Sequence, residues 1–144
     1  MKDIVARYKI REIEKINNLA DVYLANIATL QSYNRLKNIV KLSLDSVERF
    51  SRYLETSRLL RFVAKFSYSA KQQILNPKKV YTVDVGIPNA LGHRFSDNLG
   101  HIMENVAAIE LFRRCAYWNR MRQIYYWKDH QQREVDFVVK EGEK

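Results

Sequence analysis

The sequence predicts an α+β protein, and three observations carry that reading. Three stretches in the first half repeat apolar residues at spacings of three and four, the mark of helices with one buried face. Later runs such as Val80-Tyr81-Thr82-Val83 and Ile124-Tyr125-Tyr126-Trp127 are made of strand-forming residues. Only 4 Gly and 2 Pro occur in 144 residues. Average usage is about 12%, so breakers are scarce and long helices are favoured over a many-turned sandwich.

The elements follow in order. From Asp3 to about Thr29, residues Ile13, Ile16, Leu19, Ala20, Tyr23, Leu24 and Ile27 make one helical face. Gln31 and Ser32 offer a turn and an N-cap to a second, shorter helix with Leu36, Ile39 and Val40 inward. Ser43-Leu44-Asp45-Ser46 holds further cap candidates. The third helix sets Val47, Phe50, Tyr53 and Leu54 on one face and Glu48, Arg49, Ser51, Arg52 and Glu55 on the other. A strand is expected around Leu59–Phe66, then a polar, basic loop over Ser67–Lys78 ending in the turn signal Asn76-Pro77. A second strand, Lys79–Val85, is closed by Gly86 and Pro88.

Three helices followed by two strands and a basic loop is the order of a winged helix. That arrangement sends its third helix into the major groove and its loop to backbone phosphates. Arg49 and Arg52 would then face duplex DNA, with Lys71, Lys78 and Lys79 on or beside the wing. Glu48 and Glu55, on the same helix face, repel phosphate. Docking to a protein is the other established use of such a module. This domain is expected over residues 1–88.

The remainder, 89–144, opens with a loop to Asn98. A helix from about Leu99 to Tyr117 carries apolar residues on more than one stripe and is expected to be well buried. A β-hairpin follows, Gln123–Trp127 and Glu134–Val139 around a polar turn.

Charge and composition bound the function. The net charge is +9, from 25 basic and 16 acidic side chains. The excess is N-terminal, with 14 basic against 7 acidic residues up to Leu75. Such a balance concentrates polyanions near the chain through counterion release. The 47% apolar content excludes a disordered chain. No run of about 18 apolar residues is present, so no membrane partner is expected. The single Cys115 excludes an internal disulfide framework, and a reducing cytoplasm is the expected compartment. Cys115 itself reads as a small core residue, or as a thiol lowered by Arg113 and Arg114. His93, His101 and His130 lack the spacing of a zinc site. Tyr125, Tyr126, Trp127 and Trp118 could stack bases, but aromatics in a hairpin more commonly form core and cross-strand pairs.

The last strand holds the candidate chemistry. Alternation puts Val135, Phe137 and Val139 on one face and Glu134, Asp136 and Val138 on the other. A carboxylate between Val and Phe at a strand centre needs a partner. Glu104, on the preceding helix, is a second such carboxylate. Two carboxylates of this kind can hold Mg²⁺ with waters, and the ion can activate water against a phosphodiester. Helix with Glu, then hairpin with Asp, resembles the core of restriction-endonuclease-like nucleases. Their third element, a strand with Glu-x-Lys, is not matched by Glu141-Gly142-Glu143-Lys144. The fold expectation is thus a winged helix followed by a partial restriction-endonuclease-like domain, with Glu104 and Asp136 as an incomplete catalytic and metal pair. The alternative is that both carboxylates bind nearby arginines or backbone amides.

Nearly the whole chain resembles the C-terminal region of a prokaryotic AAA-type ATPase family. The resemblance rests on Asp3-Ile4-Val5-Ala6-Arg7-Tyr8, Tyr53-Leu54-Glu55 with Leu59-Leu60, and Pro77-Lys78-Lys79-Val80-Tyr81-Thr82-Val83-Asp84-Val85-Gly86. It continues through Gly100, Glu104-Asn105, Glu110-Leu111, Tyr125-Tyr126-Trp127 and Glu134–Val139. It implies a winged helix joined to a nuclease-like domain. None of the four glycines, Gly86, Gly92, Gly100 and Gly142, precedes a Lys-Ser/Thr pair, so no phosphate-binding loop is present. ATP is therefore expected only in a parent protein, no cofactor is expected in this chain, and Mg²⁺ only where the nuclease-like site is complete. The expected product is a non-catalytic fragment or a degenerate short gene, a DNA-binding or protein-docking module. Its last strand would present an open edge for self-association or a partner strand.

Overall fold

A computed structural model describes residues 12–90, 99–118 and 122–142. Among these residues the chain forms six helices and five strands. Helix α1 (Ile13–Ala25) buries Ile16, Leu19, Ala20, Tyr23 and Leu24, as the apolar spacing dictates. It stops at Asn26, short of the expected Thr29. The Asn26 side chain donates back to the Val22 carbonyl (2.8 Å), and Ala28 turns to φ +57°. That left-handed conformation costs a non-glycine residue about 1–2 kcal/mol. It sets up strand β1 (Leu30–Gln31), and the Ala28 amide donates to the Val80 carbonyl (2.7 Å).

Helix α2 (Tyr33–Val40) buries Leu36 and Val40 and closes on Lys41, at φ +51°. Helix α3 (Leu44–Thr56) starts at Ser43, whose hydroxyl accepts from the Ser46 amide (3.2 Å). Its apolar face, Val47, Phe50 and Leu54, meets α1. The Tyr23 hydroxyl and the Ser51 hydroxyl lie 2.7 Å apart in this core, and Ser51 donates to the Val47 carbonyl (2.7 Å). Each fully buried Leu or Ile here contributes about 1.5–3 kcal/mol.

Strand β2 (Leu60–Lys65) pairs antiparallel with β3 (Lys78–Thr82), and β3 pairs antiparallel with β1 on its other side. The expected loop between β2 and β3 contains a helix, α4 (Ala70–Leu75), capped by Ser69. The register Phe62↔Val80 and Arg61↔Tyr81 decides the rest. Leu60 and Val80 join the helical core, while Val63 and Tyr81 join a second cluster with Ala108 and Tyr126. Period-two alternation thus makes β3 the shared wall of two cores.

Short helix α5 (Gly86–Ala90) follows an Asp84 turn in which the Asp84 carboxylate accepts from the Gly86 amide (2.7 Å). A Cβ on Gly86 would lie 3.0 Å from that carboxylate. Helix α6 (Leu99–Trp118) packs on β3, and the hairpin β4 (Arg122–Lys128) and β5 (Glu134–Glu141) extends the sheet. Strand β4 pairs parallel with β2 at Ala64↔Tyr125 and Lys65↔Tyr126. One mixed sheet of order β1-β3-β2-β4-β5 therefore crosses the expected boundary at residue 88. Helix α6 is less buried than its composition suggested: Asn105 and Ala108 are buried, while Leu99, Met103 and Val106 face outward. Residues 1–11 and 91–98, with Asp3–Tyr8, Gly92 and His93, lie outside the described residues. No helix among the described residues is long and apolar enough to cross a membrane.

Candidate functional site: a lysine held by three carboxylates

Strand β3 places Lys79 and Tyr81 two residues apart on the α6 side of the sheet. The Lys79 side chain is 3% exposed. An ammonium has three N–H donors and no acceptor. Here the Nζ lies 2.9 Å from Glu104 Oε1, 2.7 Å from Asp136 Oδ1 and 2.6 Å from Glu134 Oε1. Glu134 and Asp136 reach the same nitrogen because positions two apart on β5 share a face.

Glu104 is delivered by its neighbour. Asn105 is fully buried, and its amide forms two bonds to Thr82, accepting from the backbone N–H (2.9 Å) and donating to the carbonyl (2.9 Å). The side chain thereby acts as a strand partner and fixes α6 against β3. One residue earlier, Glu104 Oε1 accepts both Lys79 and the Tyr81 hydroxyl (2.7 Å). On the hairpin side, the Tyr126 hydroxyl donates to the Pro77 carbonyl (2.6 Å), tying β4 to the start of β3. Glu134 Oε2 also meets Lys128 (3.2 Å).

The electrostatics follow. Burial alone would lower the Lys79 ammonium, but the hydrogen bonds it donates to Asp136, Glu134 and Glu104 outweigh it and hold Lys79 well above the ordinary lysine range. Burial pushes up the Tyr81 hydroxyl, and the Glu104 carboxylate adds to the shift. Tyr126 is pushed up to about 12 by burial and then by the charge of Glu134. Burial opposes ionisation of Glu134, yet Lys79 and Lys128 hold its carboxyl below the ordinary glutamate value.

The structure brings Glu104 and Asp136 together, at a single nitrogen. The expected alternative partners were arginines or backbone amides; the partner is Lys79. Glu134, Tyr81 and Asn105 also belong to the site and were not singled out from sequence. Their signal was present in two alternations, Lys79-x-Tyr81 and Glu134-x-Asp136. Among the described residues, no three His, Cys, Asp or Glu side chains form a group that could hold a metal ion. As arranged, the three carboxylates surround the Lys79 ammonium.

The basic residues divide. Arg49 and Arg52 are exposed on α3; Arg49 pairs with Asp45 (3.2 Å) and sits 5.5 Å from the Phe50 ring centre. Lys71 is exposed on α4, and Lys78 lies 5.4 Å from the Tyr33 ring centre. Lys79 departs from its expected place: strand alternation turns it inward to the carboxylates, so it is not a surface contact. Glu55 also turns inward, accepting from the Phe62 amide (3.2 Å), which leaves Glu48 exposed. Cys115 is a half-buried free thiol. Tyr126 is buried, while Tyr125 packs edge-on against Phe66 (5.7 Å).

Two family models match the chain in sequence order. A family model described as Domain of unknown function (DUF8612) matches residues 1–98. The chain belongs to that family. A second model, Domain of unknown function (DUF4143), matches residues 99–144 and so covers α6 and the hairpin. The chain is also similar to "Uncharacterized protein MJ1544" of Methanocaldococcus jannaschii, at 29% identity over 143 residues. That match takes in 96% of this chain and 31% of the relative, so the chain spans about a third of its relative's length. No solved structure matches the chain.

Proposed function

We propose that this chain is a basic winged-helix module that binds duplex DNA through phosphate contacts, and that the Lys79 cluster is the joint that fixes its α/β tail. The observation that carries this reading is the order α1-β1-α2-α3-β2-β3 with the antiparallel arrangement β1-β3-β2. In a winged helix that order makes α3 the groove-facing helix. Arg49 and Arg52 lie exposed on α3, and the surplus of +9 supplies the long-range attraction. DUF4143 models often occur in AAA-ATPase-associated proteins, in which such a module would serve an ATPase partner domain.

The test is duplex affinity measured by fluorescence anisotropy across a salt series. Affinity should fall steeply with salt, with a log–log slope of about −0.9 per phosphate contacted. Replacing Arg49 and Arg52 together by Ala should weaken binding equally for unrelated sequences and flatten the slope by about two. Affinity that ignores both salt and this substitution would remove the proposal.

A second reading, a nuclease acting on DNA, is favoured by the convergence of Glu104, Glu134 and Asp136. Incubation with DNA and Mg²⁺ or Mn²⁺ decides it. Cleavage lost in Asp136→Ala would support an enzyme; equal cleavage by both proteins would mark a contaminant.

A further inference from the structure

The connection between β2 and β3 combines basic charge with exposed apolar side chains. From Thr56 to Val83 the chain has six basic residues, Arg58, Arg61, Lys65, Lys71, Lys78 and Lys79, and no acidic one. Of these, Lys79 alone is held by carboxylates among the described residues. Within the connection itself, residues 66–77, three large apolar side chains stand in water: Tyr68 is 93% exposed, Ile74 71% and Leu75 66%.

This segment is built, not loose. Ser69 caps α4, Gln73 donates to the Ser67 carbonyl (2.7 Å), and Asn76 donates to the Gln72 carbonyl (2.6 Å). At its base, Phe66 meets Tyr68 edge-on (5.4 Å) and Tyr125 on the other side (5.7 Å). The Phe66 amide donates to the Tyr126 carbonyl (2.7 Å). Ile74, Leu75 and Lys78 line a cavity of about 100 Å³ together with Leu44 and Glu48 of α3. The exposed apolar group therefore adjoins the helix that carries Arg49 and Arg52.

A partner for this surface must offer apolar contact between anionic rails. The minor groove of duplex DNA does both, since Ile and Leu side chains can enter between base steps while lysines meet the flanking phosphates. We propose that residues 66–77 form an apolar wedge, with Ile74 and Leu75 entering the minor groove beside α3 and Lys71 and Lys78 on its phosphates, so that bound DNA is bent. This rests on the duplex-binding reading above and adds a deformation that phosphate contacts alone do not require. The proximity to α3 favours DNA over an anionic membrane, which would offer the same two chemistries.

The experiment uses the whole chain and a short duplex with a fluorescent donor and acceptor at its ends. Wild-type protein should raise energy transfer, as expected of a wedge-type bend of about 20–90°. Read at saturating protein, where the remaining phosphate contacts keep the duplex occupied, the double substitution Ile74→Ser with Leu75→Ser should lose most of the rise. Both side chains are exposed, so circular dichroism should match wild type; Tyr68→Ser supplies an independent variant with a smaller loss. Equal bending by variant and wild type overturns the wedge. So does duplex binding by wild type without bending, and so does loss of binding to phosphatidylglycerol vesicles in the variant with DNA bending intact. Each leaves the duplex-binding reading standing. Failure of wild type to bind duplex at low salt would instead remove both.

Discussion

The two halves of the molecule are joined by different physics. The α1–α3 half is held by apolar burial: Ile16, Leu19, Leu24, Leu36, Val47, Phe50 and Leu54 form one cluster. The α6–hairpin half has a small apolar cluster, Ala28, Val63, Tyr81, Ala108 and Tyr126. It is located instead by directional polar contacts, the Asn105–Thr82 pair and the three carboxylates on Lys79. Apolar burial is non-directional and proportional to area. Hydrogen-bonded ions add little net stability but demand one geometry. The contrast teaches that the first half can tolerate repacking, whereas the second has its orientation set by a few atoms.

Three measurements would sharpen or break that contrast. The largest effect should come from the apolar side. Leu54→Ala removes a fully buried side chain from the helical core and should cost about 2–5 kcal/mol in denaturant unfolding. A cost near zero would mean that this core is not closely packed. Next, Lys79→Met should cost about 3 kcal/mol, because it leaves three carboxylates facing one another without their cation. Removing the acids as well should recover part of that loss, since an apolar replacement of a whole ion cluster is often neutral. No recovery would argue against an ionic joint.

The smallest effect is the pH dependence, and its sign follows from the shifts. Glu134 is held below its ordinary value, so its contribution is present above about pH 4.3 and fades as pH falls through the lowered value. Lys79 is held above its ordinary value, so its contribution is complete below about pH 10.4 and is lost only as pH rises further. The Lys79→Met protein carries uncompensated carboxylates, which acid relieves. The stability gap between wild type and variant should therefore narrow from pH 7 to pH 4. A constant gap would contradict an ionic link between Lys79 and Glu134.

Much of this was legible in the residues. Apolar spacing located α1, α2 and α3, and β-branched and aromatic runs located β2 to β5. A strand carboxylate between Val and Phe pointed to Asp136, and Glu104 to its helix. Three features were hidden for physical reasons. Helix α4 has no buried residue, so no apolar periodicity marked it. Lysine is seldom buried without partners, so Lys79 read as surface until β3 turned it inward. The parallel pairing of β2 with β4 joins residues about sixty positions apart, Ala64 and Tyr125, and no local pattern encodes it. Glu134 and Asn105 were visible only as neighbours of the residues that were chosen.

The division of labour between surface arginines and buried lysine is the central claim. Its most direct test is duplex affinity, in one low-salt buffer, for wild type, for the Arg49→Ala and Arg52→Ala double variant, and for Lys79→Met at a temperature where all three are folded. The arginine variant should bind about tenfold or more weakly, as expected for lost phosphate contacts, with the lysine variant close to wild type. Equal loss in both, or loss in the lysine variant alone, would contradict the account.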